Sequence, residues 1–142
     1  MKVLLAVDGS RHSLKGVRYL IGSAADYREA PRVELVYVHL PVHRYPQMKW
    51  FVSNRQIRQY YEDEGRAALA RAKKLLGAGG IRYEARILVG PIAETIAQEA
   101  KRTRSDLIVI GTRGMSAAAN LLLGSTATRL LHLSEVPVLL VR

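Results

Sequence analysis

The 142-residue chain contains no cysteine, one tryptophan and one phenylalanine. Without cysteine, disulfide frameworks and cysteine-ligated zinc folds are excluded, and a reducing cytoplasm is the expected location. No window approaches the roughly 18 consecutive apolar residues of a membrane span. The opening run "KVLLAV" breaks at Asp8, too early for an export signal, so an unexported protein with no membrane association is expected. Acidic residues are scarce beside basic ones: 12 Asp+Glu against 22 Lys+Arg, for a net charge of +10. Such a field concentrates any anion without choosing among nucleotides, nucleic acids and acidic lipid. The basic residues are spread along the chain, and only "KRTR" (Lys101 to Arg104) is dense. Several signatures are also missing. There is no GxxxxGK[ST] phosphate loop, no GxGxxG dinucleotide turn and no GxSxG elbow. His12, His39, His43 and His132 show no metal-ligand spacing. Glu94 and Glu99, five apart on one expected helix, read as surface charges rather than an acid/base pair.

What is present is an alternation of apolar runs and helix-period segments, in a chain of one-domain size (1–142). Lys2–Val7, Arg32–Leu40, Tyr83–Gly90, Asp106–Gly111 and Val136–Val141 read as strands, the first a continuous apolar run suited to burial on both faces. Helices are expected from about Ser10 to Tyr27, capped by serine or aspartate, and from Asn54 to Leu76, with Ile57, Tyr60, Tyr61, Ala68, Leu69, Ala72, Leu75 and Leu76 inward. Two more are expected from Pro91 to about Arg104 and from Ser125 to about Leu133. Pro41 to Ser53 reads as a long loop whose His43, Tyr45, Trp50 and Phe51 suit a satellite core, a dimer contact or a lid. Strands separated by helices imply right-handed crossovers and an open, mostly parallel five-stranded sheet with helices on both faces. Ligands of such sheets sit beyond the carboxyl ends of the strands, where strand order reverses. "VDGS" and "IGTRG" would border one crevice there if strands one and four are neighbours.

The stretch "IGTRGMSAAANLLLGST" concentrates the chemistry. Gly111 and Gly114 follow a buried strand, and Gly124-Ser125 opens a helix whose first amides lack intrahelical acceptors. Glycine permits unusual backbone and leaves no Cβ in a ligand's way, and a helix N-terminus favours an anion. Ser125 adds a hydroxyl donor.

"GTRGMSAAANLLLGS" also has the spacing glycine, two residues, glycine, nine residues, glycine-serine. With "LLAVDGSRHSLKGVRYL", "VGPIAETIAQEAKRTRSDLIVIGTRG" and "GSTATRLLHLSEVPVLLVR", the chain resembles the universal stress proteins over nearly its whole length. The resemblance implies a Rossmann-like sheet in the order 3-2-1-4-5, ATP at the ends of strands one and four, and frequent homodimers. It places Val7 and Asp8 at the adenosine, Val38 against the adenine, and Gly111, Gly114, Gly124 and Ser125 at ribose and phosphates. Thr126 and Arg113 are further phosphate-side candidates. Tyr37 stands where many relatives carry histidine, and His39 where an acidic residue is usual.

No carboxylate lies near the glycine motif to hold Mg²⁺ through the protein, so any metal would ride on the phosphates, and no residue is assigned as catalytic or metal-binding. The expected activity is ATP binding in a regulatory, stress-response role without rapid turnover, AMP or ADP being alternative ligands. A basic nucleic-acid-associated module and a very slow ATPase are the alternatives, with no sequence-specific nucleic-acid recognition expected. The apolar last strand, Val136–Val141, presents an edge suited to homodimer pairing.

Overall fold

The computed structural model describes residues 1–42, 53–112 and 123–142. Five parallel strands form one sheet in the order β3-β2-β1-β4-β5, as the resemblance implies. The strands are β1 (Lys2–Ala6), β2 (Arg32–His39), β3 (Tyr83–Val89), β4 (Leu107–Gly111) and β5 (Val138–Val141). The helices are α1 (Leu14–Ser23, extended by a 3₁₀ turn over Ala24–Asp26), α2 (Asn54–Ala78), α3 (Ile92–Arg102) and α4 (Ser125–Leu133). β1 is the central strand, and Val3, Leu4 and Leu5 are entirely buried. Covered on both faces, it has no polar side to present, which is why it reads as an unbroken apolar run.

Alternation along the strands sorts the core into two layers. Val3, Leu5, Val33 and Leu35 pack with Leu14, Val17 and Leu20 of α1 and Leu69, Ala72 and Leu76 of α2. Leu4, Ala6, Val36 and Val38 pack instead with Ala93, Ile96 and Ala100 of α3 and Leu130 of α4. Burying each leucine stabilises the fold by about 1.5–3 kcal/mol relative to exposure.

Helix boundaries depart from the periodic pattern where short polar side chains intervene. α1 begins at Leu14 rather than near Ser10, and its N-cap, Ser13, makes no side-chain cap bond. Residues 8–13 instead form a hydrogen-bonded loop. α2 starts at a capping box, Ser53 Oγ accepting from the Gln56 amide while the Gln56 side chain accepts from the Ser53 amide. It runs past Gly77 to Ala78 and stops where Gly80 adopts a φ of 68°, open to glycine at little strain. Of its expected inward stripe, Leu69, Ala72 and Leu76 are buried, whereas Tyr60 is 46% exposed. α3 ends at Arg102, and Thr103 Oγ1 donates to the Glu99 carbonyl.

Candidate functional site

Parallel register brings the expected site residues to the carboxyl end of the sheet. Ala6 pairs with Val36 and with Ile110, so Val7 lies level with Gly111, and Asp8 with Val38. Val7 donates its amide to the Val36 carbonyl at 3.0 Å, holding the chain in register just past β1. Val7 and Val38 are buried, 5% and 7% exposed, and Asp8 is half-buried at the mouth of the strands.

The turn after β1 is built from side chains bonding to backbone. Asp8 Oδ1 accepts from the Ser10 amide at 2.9 Å, Ser10 Oγ from the Ser13 amide at 3.1 Å, and Ser13 Oγ donates to the Ser10 carbonyl at 3.0 Å. Asp8 therefore shapes an Asx turn; it does not cap α1. Gly9 has a φ of 82°, and a Cβ there would sit 3.1 Å from the Ala68 backbone of α2. Only glycine satisfies both demands.

Gly111 sits where β4 and the loop before α1 approach each other closely. It is not among the positive-φ glycines, and a Cβ on it would lie 3.0 Å from the His12 carbonyl oxygen and 3.2 Å from the Ser13 α-carbon. The space above it is filled by the loop leading into α1. Its bareness lets the end of β4 pack closely against the loop leading into α1. Arg113 and Gly114 lie outside the described residues, as do His43, Tyr45, Trp50 and Phe51 of the long loop.

The start of α4 is tied to the same place. The Gly124 amide donates to the Thr112 carbonyl at 2.8 Å, and the Thr112 amide to the Val141 carbonyl at 3.0 Å. Gly124 is the N-cap, in extended backbone, without a side-chain cap bond or an acidic residue in the first turn. The Ser125, Thr126 and Ala127 amides lead the helix, where intrahelical acceptors do not exist. Ser125 is exposed and Thr126 half-buried. The amides and the Ser125 hydroxyl at the head of α4 supply a donor-rich end beside Gly111, and Asp8 supplies a carboxylate in the turn that follows β1.

Beyond β2 an aromatic cluster walls this end. The His39 ring lies 4.9 Å from that of Tyr61, 5.3 Å from Tyr60 and 6.0 Å from Tyr37, and the Tyr61 hydroxyl accepts from the Val42 amide at 2.8 Å. Burial pushes the Tyr37 phenol above its ordinary value, with Glu64, Tyr60 and Asp8 adding to the shift. Sequence reasoning noted Tyr37 and His39 as departures but did not foresee that they pack together with α2. Among the described residues no group of three or more His, Cys, Asp or Glu could hold a metal ion.

The two glutamates taken for surface charges divide. Glu94 is partly exposed and hydrogen-bonded by Arg129, which holds its carboxyl below the ordinary value. Glu99 is buried, 6% exposed, contrary to that reading. It accepts from Arg102 at 2.7 and 2.8 Å and from Arg86 at 3.3 Å, beside a second buried carboxyl, Glu34 of β2, which sequence reasoning missed. The Arg102 hydrogen bonds pull the Glu99 carboxyl below its ordinary value against the opposing effect of burial, with Glu34 and Arg86 also lowering it. A lone acidic residue inside "RVELVYVHL" was the available signal. This ion cluster lies on the α3 side of β2 and β3, toward the amino end of the sheet and away from Gly111.

An open α/β sheet with a turn of side-chain-bonded backbone at one central strand and an uncapped helix start at the next belongs to the Rossmann-like class. A profile of the universal stress protein family matches residues 1–142. The chain belongs to the universal stress protein family. It is 34% identical over 140 residues to the universal stress protein in the QAH/OAS sulfhydrylase 3′ region of Thermus aquaticus, covering 99% of this chain and 97% of the relative. It is 30% identical over 142 residues to universal stress protein MJ0531 of Methanocaldococcus jannaschii, covering 99% and 81%. The fold matches UspA of Lactobacillus plantarum with a TM-score of 0.79 at 19% identity, covering 100% of this chain and 97% of that one. A universal stress protein solved in complex with cAMP matches with a TM-score of 0.68 at 26% identity, covering 100% and 96%. The same fold occurs in the Arabidopsis thaliana family member solved with AMP and the Archaeoglobus fulgidus protein solved with dAMP, at TM-scores of 0.71 and 0.65 and identities of 22% and 20%.

Proposed function

We propose that this protein binds an adenine nucleotide, ATP foremost with AMP or ADP as alternatives, at the carboxyl end of its sheet. We propose further that occupancy regulates a stress-response role without rapid turnover. The observation that carries the reading is the uncapped start of α4, joined to β4 through the Gly124–Thr112 hydrogen bond and carrying Ser125 at its first position. A polyphosphate seated there takes the unpaired amides, the Ser125 hydroxyl and the positive end of the helix dipole. Thr126 contributes its amide. Asp8 accepts from ribose or amine groups, and Val38 and Val7 supply an apolar wall for the base. Arg113 and Gly114 enter on the sequence motif alone. The family member solved with cAMP supports an adenine nucleotide as the ligand class. Mg²⁺ would be carried by the phosphates.

The location proposed is cytoplasmic; among the described residues no helix is long and apolar enough to cross a membrane. A homodimer through the last strand is part of the same proposal. β5 ends the sheet order, and its four residues, Val138–Val141, are all only half-buried, leaving an apolar edge for a twin. Equilibrium dialysis of nucleotide-stripped protein against ATP, AMP and cAMP tests the central claim. Saturable binding is expected, and its absence up to millimolar nucleotide would refute it.

A further inference from the structure

We propose that the amino end of the sheet carries a second binding cleft, for a small hydroxyl-bearing phosphomonoester, with Arg32 and Arg82 as its phosphate contacts. The cleft has a volume of about 630 Å³, within the range of small-molecule sites, and Lys2, Arg32, Glu34, Arg82 and Glu84 line it. On β1 and β2 the even-numbered residues Leu4, Ala6, Val36 and Val38 face α3, so Lys2, Arg32 and Glu34 share that side. Leu88 assigns the same side to Glu84.

Register arranges these charges in rows. Lys2 is the direct partner of Arg32, and the Arg82 carbonyl accepts from the Val33 amide at 3.0 Å, so Arg82 stands next along the same row. One step further, Glu34 is the direct partner of Glu84. Like charges side by side on neighbouring strands repel. The chain relieves this for part of the cluster: Lys2 Nζ lies 3.0 Å from Glu34, and Arg86 and Arg102 are taken up by Glu34 and Glu99. Of the "KRTR" cluster, Lys101 pairs with Glu135 at 2.9 Å on the exposed surface.

Arg32 and Arg82 receive no such partner. Neither has a carboxylate within ion-pair reach among the described residues, and the segments 43–52 and 113–122 contain no Asp or Glu. Two exposed guanidinium groups thus border a concave space with their charge unspent. Planar guanidinium forks match phosphate oxygens bidentately. The carboxylate row lies two residues along the strands, about 6.6 Å away by strand rise; Glu34 is buried and paired there, and the exposed Glu84 is the group that accepts from hydroxyls. A sugar phosphate spans the two rows, and so does the ribose 5′-phosphate end of a nucleotide. This inference stands apart from the nucleotide reading, since it uses the opposite end of the strands.

Calorimetric titration of the full chain with ribose 5-phosphate, AMP, inorganic phosphate and ribose tests the cleft. Saturable ribose 5-phosphate binding is expected, weakened about tenfold or more by the Arg32→Ala/Arg82→Ala double variant at unchanged Tm. Ser125→Ala should leave it untouched, whereas Glu84→Ala should weaken it by about fivefold through loss of the hydroxyl acceptor. AMP binding that survives Ser125→Ala and falls with the double arginine variant identifies a nucleotide as the source; ribose 5-phosphate binding alone identifies a sugar phosphate. Ribose 5-phosphate affinity indifferent to the arginine pair, or no saturation by about 10 mM, overturns the proposal. So does inorganic phosphate binding as tightly as ribose 5-phosphate, which would remove the hydroxyl row. Tighter binding of a single-stranded RNA through the same arginines would replace the small ligand by a polymer and also overturn it.

Discussion

The two ends of the sheet prepare for charge in opposite ways. At the carboxyl end the chain strips side chains away: Gly9 and Gly111 let loops pack against α2 and β4, and α4 opens with bare amides. At the amino end it crowds ionised side chains together, Lys2, Glu34, Arg86, Glu99 and Arg102 in one network with Arg32 and Arg82 beside it. Backbone donors are fixed by the fold and bring no counter-charge, so they suit an anion that arrives from outside. Paired side chains answer one another first, and only what remains unpaired is left for a ligand. The carboxyl end should therefore govern nucleotide affinity, and the buried part of the amino end should govern stability.

The sharpest way to break that division is Glu34→Ala. Glu34 is 3% exposed and holds Lys2 and Arg86, which are themselves 38% and 45% exposed. Removing one partner of a fully buried pair costs about 3–5 kcal/mol, and here the cations recover some hydration, so a loss of about 2–3 kcal/mol is expected. Thermal unfolding should show a Tm lower by roughly 8 °C, with nucleotide affinity unchanged. A comparable loss of nucleotide affinity would mean that the two ends are not separable. Ser125→Ala is the smaller, converse test. Losing one hydroxyl donor should weaken nucleotide binding by about 1 kcal/mol, some fivefold, because Ser125 is exposed and supports no packing. A lower Tm at unchanged affinity would place Ser125 in the scaffold instead.

The asymmetry also explains which parts were legible in the sequence. The order of elements and the strand centres followed from apolar runs, because a doubly covered sheet leaves polar residues no place in the middle of β1 or β4. The start of α4 at Ser125 could be read because Gly124-Ser125 is a cap signal independent of packing. α1 was placed too early, since Asp8, Ser10 and Ser13 can cap a helix or bond within a loop, and only the loop's contacts with Ala68 and Gly111 decide between them. Spacing marked Gly111, but spacing could not show that its neighbour is the His12–Ser13 backbone. The amino-end network stayed hidden because it joins β1, β2, β3 and α3. Helical spacing shows that Glu94 and Glu99 point apart without showing that one of them points at a strand carrying its own glutamate.

The finest discrimination between the ends comes from acid. Glu99 has its carboxyl held below the ordinary 4.5 by Arg102, while Glu34 and Arg86 face it from the sheet. A carboxyl whose pKa is lowered on folding contributes stability that is complete above the unfolded value and is lost as pH falls through the folded one. The Tm gap between the natural protein and Glu99→Gln should thus be constant from pH 7 to about 5 and narrow as pH drops below about 4. Arg86 and Arg102 keep their charge throughout that range, so the narrowing reports carboxyl protonation within this cluster. A gap of equal size at pH 7 and pH 3.5 would show that Glu99 acts through packing or neutral hydrogen bonds. The amino end would then hold the sheet by shape, as the carboxyl end does, and the contrast drawn between them would be one of composition only.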